Sequence, residues 1–205
     1  NVTLQFLQNN QDSCSIYNST DALTFTTSST PITPHCFEVS ELFAGNTSAG
    51  FVNQSHNLGG MTLADGRDPG IHWQLKNKDS YDPQGNYTTI LYRQHIAYPD
   101  SDDQEPGHFA IRRVTIYGGH GCTELDPNDD DKLLDWYGFS CWSEDEGTCG
   151  YTGYNIRSFS VQPLEEEDRN GDVCWVFAQL GGAPRAGSSA AHAMVGAFVT
   201  VALAV

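Results

Sequence analysis

The chain has 205 residues, 39% of them hydrophobic, and a formal net charge of −16 from 10 basic and 26 acidic side chains. That length fits one domain with a sizeable core, or one domain with an appendage. That charge excludes nucleic-acid binding by phosphate neutralisation, which needs a basic face, and disfavours adsorption to anionic lipid headgroups.

Taken in order, the chain reads as strands separated by turns. Val2 to Leu7 alternates apolar Val2, Leu4 and Phe6, the period of a half-buried strand. Ala22 to Thr27 is a second, Thr-rich strand. Pro31 and Pro34 are expected to block regular structure up to Cys36. A short helix is expected over Val39 to Phe43, ending at Gly45, followed by loop chemistry at Gly59-Gly60 and from Asp65 to Gly70. Ile71 to Leu75 places Ile71, Trp73 and Leu75 inward, with His72 and Gln74 outward. Tyr87 to Ile96 and Phe109 to Tyr117 are two further strands, linked by turns rich in Pro, Gly and Asp.

Residues 117 to 177 hold four of the six cysteines and three of the four tryptophans. Here Trp136 to Trp142 reads as a dense aromatic strand, Tyr154 to Val161 as a strand ending at Pro163, and Cys174 to Phe177 as the last strand. Asp126 to Asp131 is expected to be an acidic loop, and Trp142 to Thr148 another. Many short strands and hardly any helical period predict an all-β antiparallel sandwich with little helix. The domain is expected to span 1–180, with its core in 71–177.

Six cysteines, an even number without CxxC or Cys/His zinc spacing, predict three disulfides among Cys14, Cys36, Cys122, Cys141, Cys149 and Cys174. Many connectivities are open. The simplest pairs Cys14 with Cys36, closing a loop of about 23 residues worth roughly 3 kcal/mol. Cys141 then pairs with Cys149 across its short acidic loop, and Cys122 with Cys174 by elimination. Five N-glycosylation sequons begin at Asn1, Asn18, Asn46, Asn53 and Asn86. With paired cysteines they point to an extracellular protein made in a eukaryotic secretory pathway. Asn1 in place of an initiator Met fits a signal peptide already removed.

Met194 to Val205 is an uncharged run of 12 residues at the end of the sequence. It is too short for a bilayer core of about 30 Å. A small, mildly polar spacer precedes it, and small residues at Gly181 and Gly182 precede that. Small attachment residues, spacer (181–193) and apolar tail (194–205) are the pattern of a GPI-anchor signal, with Gly187-Ser188-Ser189 as a second attachment site. The expectation is a cell-surface or cell-wall protein that meets the membrane through its anchor only.

Gly121-Cys122 with Leu125, the run Ile156 to Val161 and Cys174 to Phe177 resemble small cysteine-rich proteins secreted by filamentous fungi, of GPI-anchored type. The pattern is similar to the βγ-crystallin and killer-toxin-like β-sandwich, with a jelly-roll arrangement as the neighbouring option. It covers about a quarter of the chain, and the resemblance implies a compartment and a fold more than an activity. The calcium motif of βγ-crystallins is not matched, because Gly153-Tyr154-Asn155 precedes the Ser158 region.

Candidate chemistry is sparse. Asp126, Asn128 and Asp130 copy the first half of an EF-hand loop and are the residues that a Ca²⁺ would use, but Asp131 replaces the required Gly and Tyr137 the bidentate Glu. Otherwise no cofactor is expected. Seven histidines lack zinc spacing; His108 and His120 flank one strand and are the pair with a chance to meet. Paired carboxylates from the 100–172 region would suit a carbohydrate-active hydrolase. Trp142, beside a cysteine and an acidic loop, is the aromatic expected to be exposed for stacking on sugars. The primary expectation is a non-catalytic surface protein, adhesive or binding cell-wall glycans.

Overall fold

In the computed structural model the chain forms two antiparallel sheets, with a two-stranded sheet beside them. The structure describes residues 1–8, 14, 19, 21–60, 62–64, 66, 68–98, 104–170 and 173–182, and the side chains of all of these but 58, 130 and 170. In chain order the strands are β1 (Val2–Gln8), β2 (Leu23–Thr27), β3 (His35–Glu38), β4 (Ala49–Asn53), β5 (Gly70–Lys76), β6 (Tyr87–Gln94), β7 (Phe109–Tyr117), β8 (Leu125–Asp126), β9 (Asp129–Leu133), β10 (Asp135–Cys141), β11 (Thr148–Tyr151), β12 (Ser158–Pro163) and β13 (Val176–Gly181). One short helix, α1 (Val39–Ala44), lies between β3 and β4.

The larger sheet runs β11-β6-β1-β2-β5-β4 and the smaller β13-β10-β7-β12-β3. Their inner faces meet through aromatic rings. Phe159 of β12 has its ring centroid 4.9 Å from Phe25, 5.5 Å from Phe6 and 5.3 Å from Phe37. At the other end Tyr92 of β6 stacks on Phe139 of β10 at 4.5 Å. These rings, with Leu4, Ile71, Ile90, Val114 and Ile116, are sealed from solvent and form one core. That is the expected antiparallel sandwich. The core takes nine residues from β1, β2, β3 and α1 beside twelve from residues 71–177.

The strand alternation holds where it was sharpest. In β5 Ile71 and Leu75 are buried and His72 and Gln74 exposed. Five strands differ from expectation. β3 starts directly after Pro34, because it is an edge strand paired to β12 on one side. β4 and β11 form in stretches where no strand was expected. The strand expected from Tyr154 begins only at Ser158, and the one expected from Cys174 only at Val176. The acidic loop is the β8–β9 hairpin, with Leu125 opposite Leu133.

All six cysteines are bridged, in pairs unlike the simplest set. Cys14 joins Cys149, Cys36 joins Cys122 and Cys141 joins Cys174. The bridges span 135, 86 and 33 residues. Taken singly, loops of those lengths remove roughly 5, 4.5 and 3.5 kcal/mol of unfolded-chain entropy; they overlap, so the sum is smaller. The local pairs fail because pairing follows which sheet edges meet. Cys149 lies in edge strand β11 and Cys36 in edge strand β3, while Cys141 ends β10 beside the segment that leads into β13.

Among the described residues Thr89 Oγ1, Arg93 Nε and Arg113 Nε are buried without a hydrogen-bond partner, whereas the polar cluster around Arg112 is bonded. The Arg112 side chain, 4% exposed, donates to the carbonyls of Ser28 and Ser29 at 2.6 and 2.7 Å and to Gln94 Oε1 at 3.2 Å. Gln94 Nε2 donates to the Tyr92 hydroxyl at 2.8 Å, which donates to the Cys141 carbonyl at 3.0 Å. This chain of bonds ties both sheets at the Cys141–Cys174 end.

Candidate groove between the acidic hairpin and the loop before β12

An open groove of about 840 Å³ lies among the described residues. The β8–β9 hairpin forms one wall, and residues 152 to 157, between β11 and β12, the other. Asn86 ahead of β6 and Gln179 of β13 complete the rim.

The hairpin wall is built by local chemistry. Pro127 suits the second position of a tight turn. Asp126 closes that turn, its Oδ1 accepting the Asn128 backbone N–H at 3.0 Å and the Asn128 side-chain amide at 3.2 Å. Lys132 reaches back across the hairpin and donates to Asp126 Oδ2 at 3.0 Å. The Asn128 N–H first, and the Lys132 ammonium after it, hold the Asp126 carboxyl below its ordinary range. Both Asp126 oxygens are thus bonded within the hairpin, and a lysine ammonium stands where a cation bound to Asp126 would sit. The Asp130 side chain lies outside the described set. Among the described residues no three His, Cys, Asp or Glu side chains gather to hold a metal.

The opposite wall carries Tyr154, with Tyr137 of β10 beneath it, their centroids 6.0 Å apart. Tyr137 stacks on Phe177 at 4.4 Å and donates to the Thr152 carbonyl at 3.5 Å; Tyr154 donates to the Ile116 carbonyl at 3.4 Å. Burial pushes both phenols up, with Asp135 adding to the rise at Tyr137 and Tyr137 adding to it at Tyr154. Both stay protonated donors at neutral pH. Asn155 is fixed by the Tyr87 N–H, which donates to its Oδ1 at 2.8 Å. The Gln179 amide donates to the Asp135 carboxylate on the rim. Gly118 sets the groove's depth: a Cβ there would lie 2.5 Å from Leu134 and 2.8 Å from Tyr154.

Four carboxylates, of Asp126, Asp129, Asp131 and Asp135, face two cations, Lys132 and Arg157, along this lining. Side-chain amides and phenols share the rest with apolar Pro127, Leu133 and Leu134. Such a surface suits a ligand rich in hydroxyls or carrying positive charge.

The candidate site residues fall unevenly. Asp126 and Asn128 lie on the groove, as turn formers. Trp142 is 5% exposed and packed away, so it offers no stacking face and that expectation is corrected. Its immediate neighbours explain the burial. The Trp142 N–H donates to the His108 carbonyl, its carbonyl accepts from Gly107, and Cys141 beside it is bridged to Cys174. Partly exposed Trp136 and Trp175 instead form an edge-to-face pair at 5.8 Å, with the Arg113 guanidinium 4.5 Å over the Trp175 ring. His108 and His120 sit at opposite ends of β7, next to Glu105 and Glu38 respectively, and do not meet. The Asn1, Asn46, Asn53 and Asn86 side chains are exposed; Asn18 lies outside the described residues. Gly181 ends β13 opposite Asp135, and the Gly182 N–H donates to Glu124 at 3.3 Å. The run from Met194 to Val205 lies outside the described residues, and among these no helix is long and apolar enough to cross a membrane.

Tyr154, Asn155 and Gln179 were not singled out by sequence reasoning. The signal available was the turn chemistry of Gly153 and Asn155, which marks 152–157 as loop rather than strand. Comparison with protein-family models, with curated proteins and with solved structures returns no match for this chain.

Proposed function

We infer that the chain is a secreted, glycosylated, non-catalytic surface domain whose ligand is a glycan lying in the groove between the β8–β9 hairpin and residues 152–157. The observation that carries this reading is the lining itself. Fixed amides at Asn155 and Gln179, protonated phenols and carboxylates converge on an open groove, and hydroxyl-rich ligands need such a mixture of donors and acceptors. Long-range disulfides and four exposed sequon asparagines support secretion. Anchoring by the C-terminal signal places the domain on a cell surface or wall. Gly181 and Gly182 are held within the fold, so attachment at Gly187-Ser188-Ser189 leaves β13 whole.

The groove's acids also raise the hydrolase reading. Asp126 argues against its own use as general acid, since its carboxyl is lowered rather than raised and both oxygens are bonded. Asp135 is engaged by Gln179. Binding is therefore the better use of this constellation.

The test is a fungal-wall and mammalian glycan array on the disulfide-intact protein, followed by titration of any hit against Gln179→Ala and Arg157→Ala. Binding that falls by about tenfold or more in both variants, without loss of thermal stability, supports the reading. No binding across the array, or binding that both variants leave intact, overturns it. Cleavage of an array oligosaccharide would move the protein to the hydrolase class.

A further inference from the structure

A two-sheet sandwich has four edge strands, here β11 and β4 in one sheet, β13 and β3 in the other. An edge strand offers a row of unpaired backbone groups, and natural proteins guard it with charge, proline, bulges or a covering segment. Three of these edges have a disulfide in the strand or two residues ahead of it: Cys149 in β11, Cys36 in β3 and Cys174 ahead of β13.

Among the described residues β4 has none of these devices. It reads Ala49-Gly50-Phe51-Val52-Asn53, with no charge and no proline, and pairs in regular register with β5. The Ser48 carbonyl and the Gln54 N–H bond across to the β5 side. By strand alternation Gly50 and Val52 do the same, and the N–H and C=O groups of Ala49, Phe51 and Asn53 point to the open side. The outer face of the strand is apolar as well: Phe51, 39% exposed, stacks on His72 at 4.3 Å. Uncharged, β-prone and open, this segment has the make-up that favours edge-to-edge pairing of two copies.

What β4 does have is a sequon at each end. Asn46-Thr47-Ser48 precedes it and Asn53-Gln54-Ser55 closes it, and both asparagine side chains are exposed. We propose that N-linked glycans on Asn46 and Asn53 bracket β4 and keep its open edge from pairing with a second copy. This rests on the secretory reading above. In each modification C1 of an oligosaccharide bonds to the asparagine Nδ2, and the C1–O bond to a polyprenyl pyrophosphate donor breaks. The pyrophosphate keeps that electron pair and the nitrogen gives up one proton. Asn53 Nδ2 now donates to Asp68 Oδ2 at 3.2 Å, and the proton it retains can still do so.

The experiment uses the full chain secreted from glycosylating cells. Glycopeptide mass mapping reads occupancy at Asn46 and Asn53, and sedimentation velocity reads the mass of wild type, of Asn46→Gln/Asn53→Gln, and of the single control Asn86→Gln. The expected result is a monomeric wild type and control, and a double variant whose mass about doubles or more at micromolar concentration. Adding Phe51→Lys to the double variant should return it to monomer. If the double variant is not secreted, an endoglycosidase that leaves one sugar on each asparagine, applied to folded wild type, gives the same readout. Empty Asn46 and Asn53 would overturn the proposal together with the secretory reading. Occupied sites with a monomeric, glycan-free protein would overturn the proposal alone.

Discussion

Phe159 is the point at which the two sheets are joined, so its truncation is the sharpest test of the packing. The ring is fully buried and lies within 5.5 Å of Phe6, Phe25 and Phe37. Removing a buried phenyl costs about 3–5 kcal/mol through lost transfer energy and the cavity left behind. The ring contacts are worth roughly 0.5–1.5 kcal/mol each beyond area, not additively, which places Phe159→Ala at the upper end, about 4–5 kcal/mol. In a domain of this size that lowers Tm by about 10–20 °C. Phe51→Ala is the matched control. Phe51 is 39% exposed and its only ring contact among the described residues is with His72, so its loss should be under about 1 kcal/mol. Guanidinium unfolding without reductant, followed by tryptophan fluorescence, measures both. A loss at Phe159 under about 1.5 kcal/mol, or no larger than that at Phe51, would refute the two-sheet core.

Three further outcomes follow from the site and its supports. At least four of the nine tyrosines, Tyr81, Tyr92, Tyr137 and Tyr154, are pushed up by burial. Their stabilising contribution is full below about pH 10, the unfolded value, and is lost as pH rises through the raised folded values. Tyrosinate absorbance should therefore rise in two stages, the later one coinciding with alkaline unfolding; a single stage near the unfolded value contradicts the burial. The Asp126 carboxyl is lowered, so its hold on the hairpin is present above about pH 4 and fades as pH falls through the folded value. The protection factor of the Asn128 amide, its exchange corrected for the intrinsic rate, should fall in acid and fall at neutral pH in Asp126→Ala; a protection factor that does not change with pH would count against the turn lock. Gly118→Ala forces a Cβ to within 2.5 Å of Leu134 and 2.8 Å of Tyr154, costing about 1–3 kcal/mol and weakening ligand binding in the groove; unchanged stability and affinity would show that the wall can yield.

The fold class was legible because burial imposes alternation. Val2, Leu4 and Phe6 in β1, and Ile71 and Leu75 in β5, are apolar at the spacing a half-buried strand needs, and the structure buries each. α1 was legible from its stop, since a Cβ at Gly45 would lie 2.7 Å from the Glu41 carbonyl oxygen. β4 and β11 were hidden for a related reason. Gly50 and Gly150 look like turn markers, but they are small because Trp73 and Phe177 lie against them; Gly138 makes room for Trp175 in the same way, at 2.5 Å. A glycine beneath an aromatic ring and a glycine in a turn are the same letter. Trp142 was misread for lack of tertiary context. Its acidic neighbours Glu144 and Asp145 are exposed, while Trp142 itself, next in the chain to bridged Cys141, is buried. The groove was half legible: the acids of the hairpin stood out, whereas Gln179 and Asn155 reach it only because β13 and the loop before β12 are brought beside that hairpin by the sheet order.

The bridges fix that sheet order, and their pattern is the most direct measurement of it. Proteolysis of the unreduced protein followed by mass mapping should return three crosslinked peptides, joining Cys14 to Cys149, Cys36 to Cys122 and Cys141 to Cys174. A peptide joining Cys14 to Cys36, or Cys141 to Cys149, would contradict the arrangement of edges on which the groove and the proposed function depend.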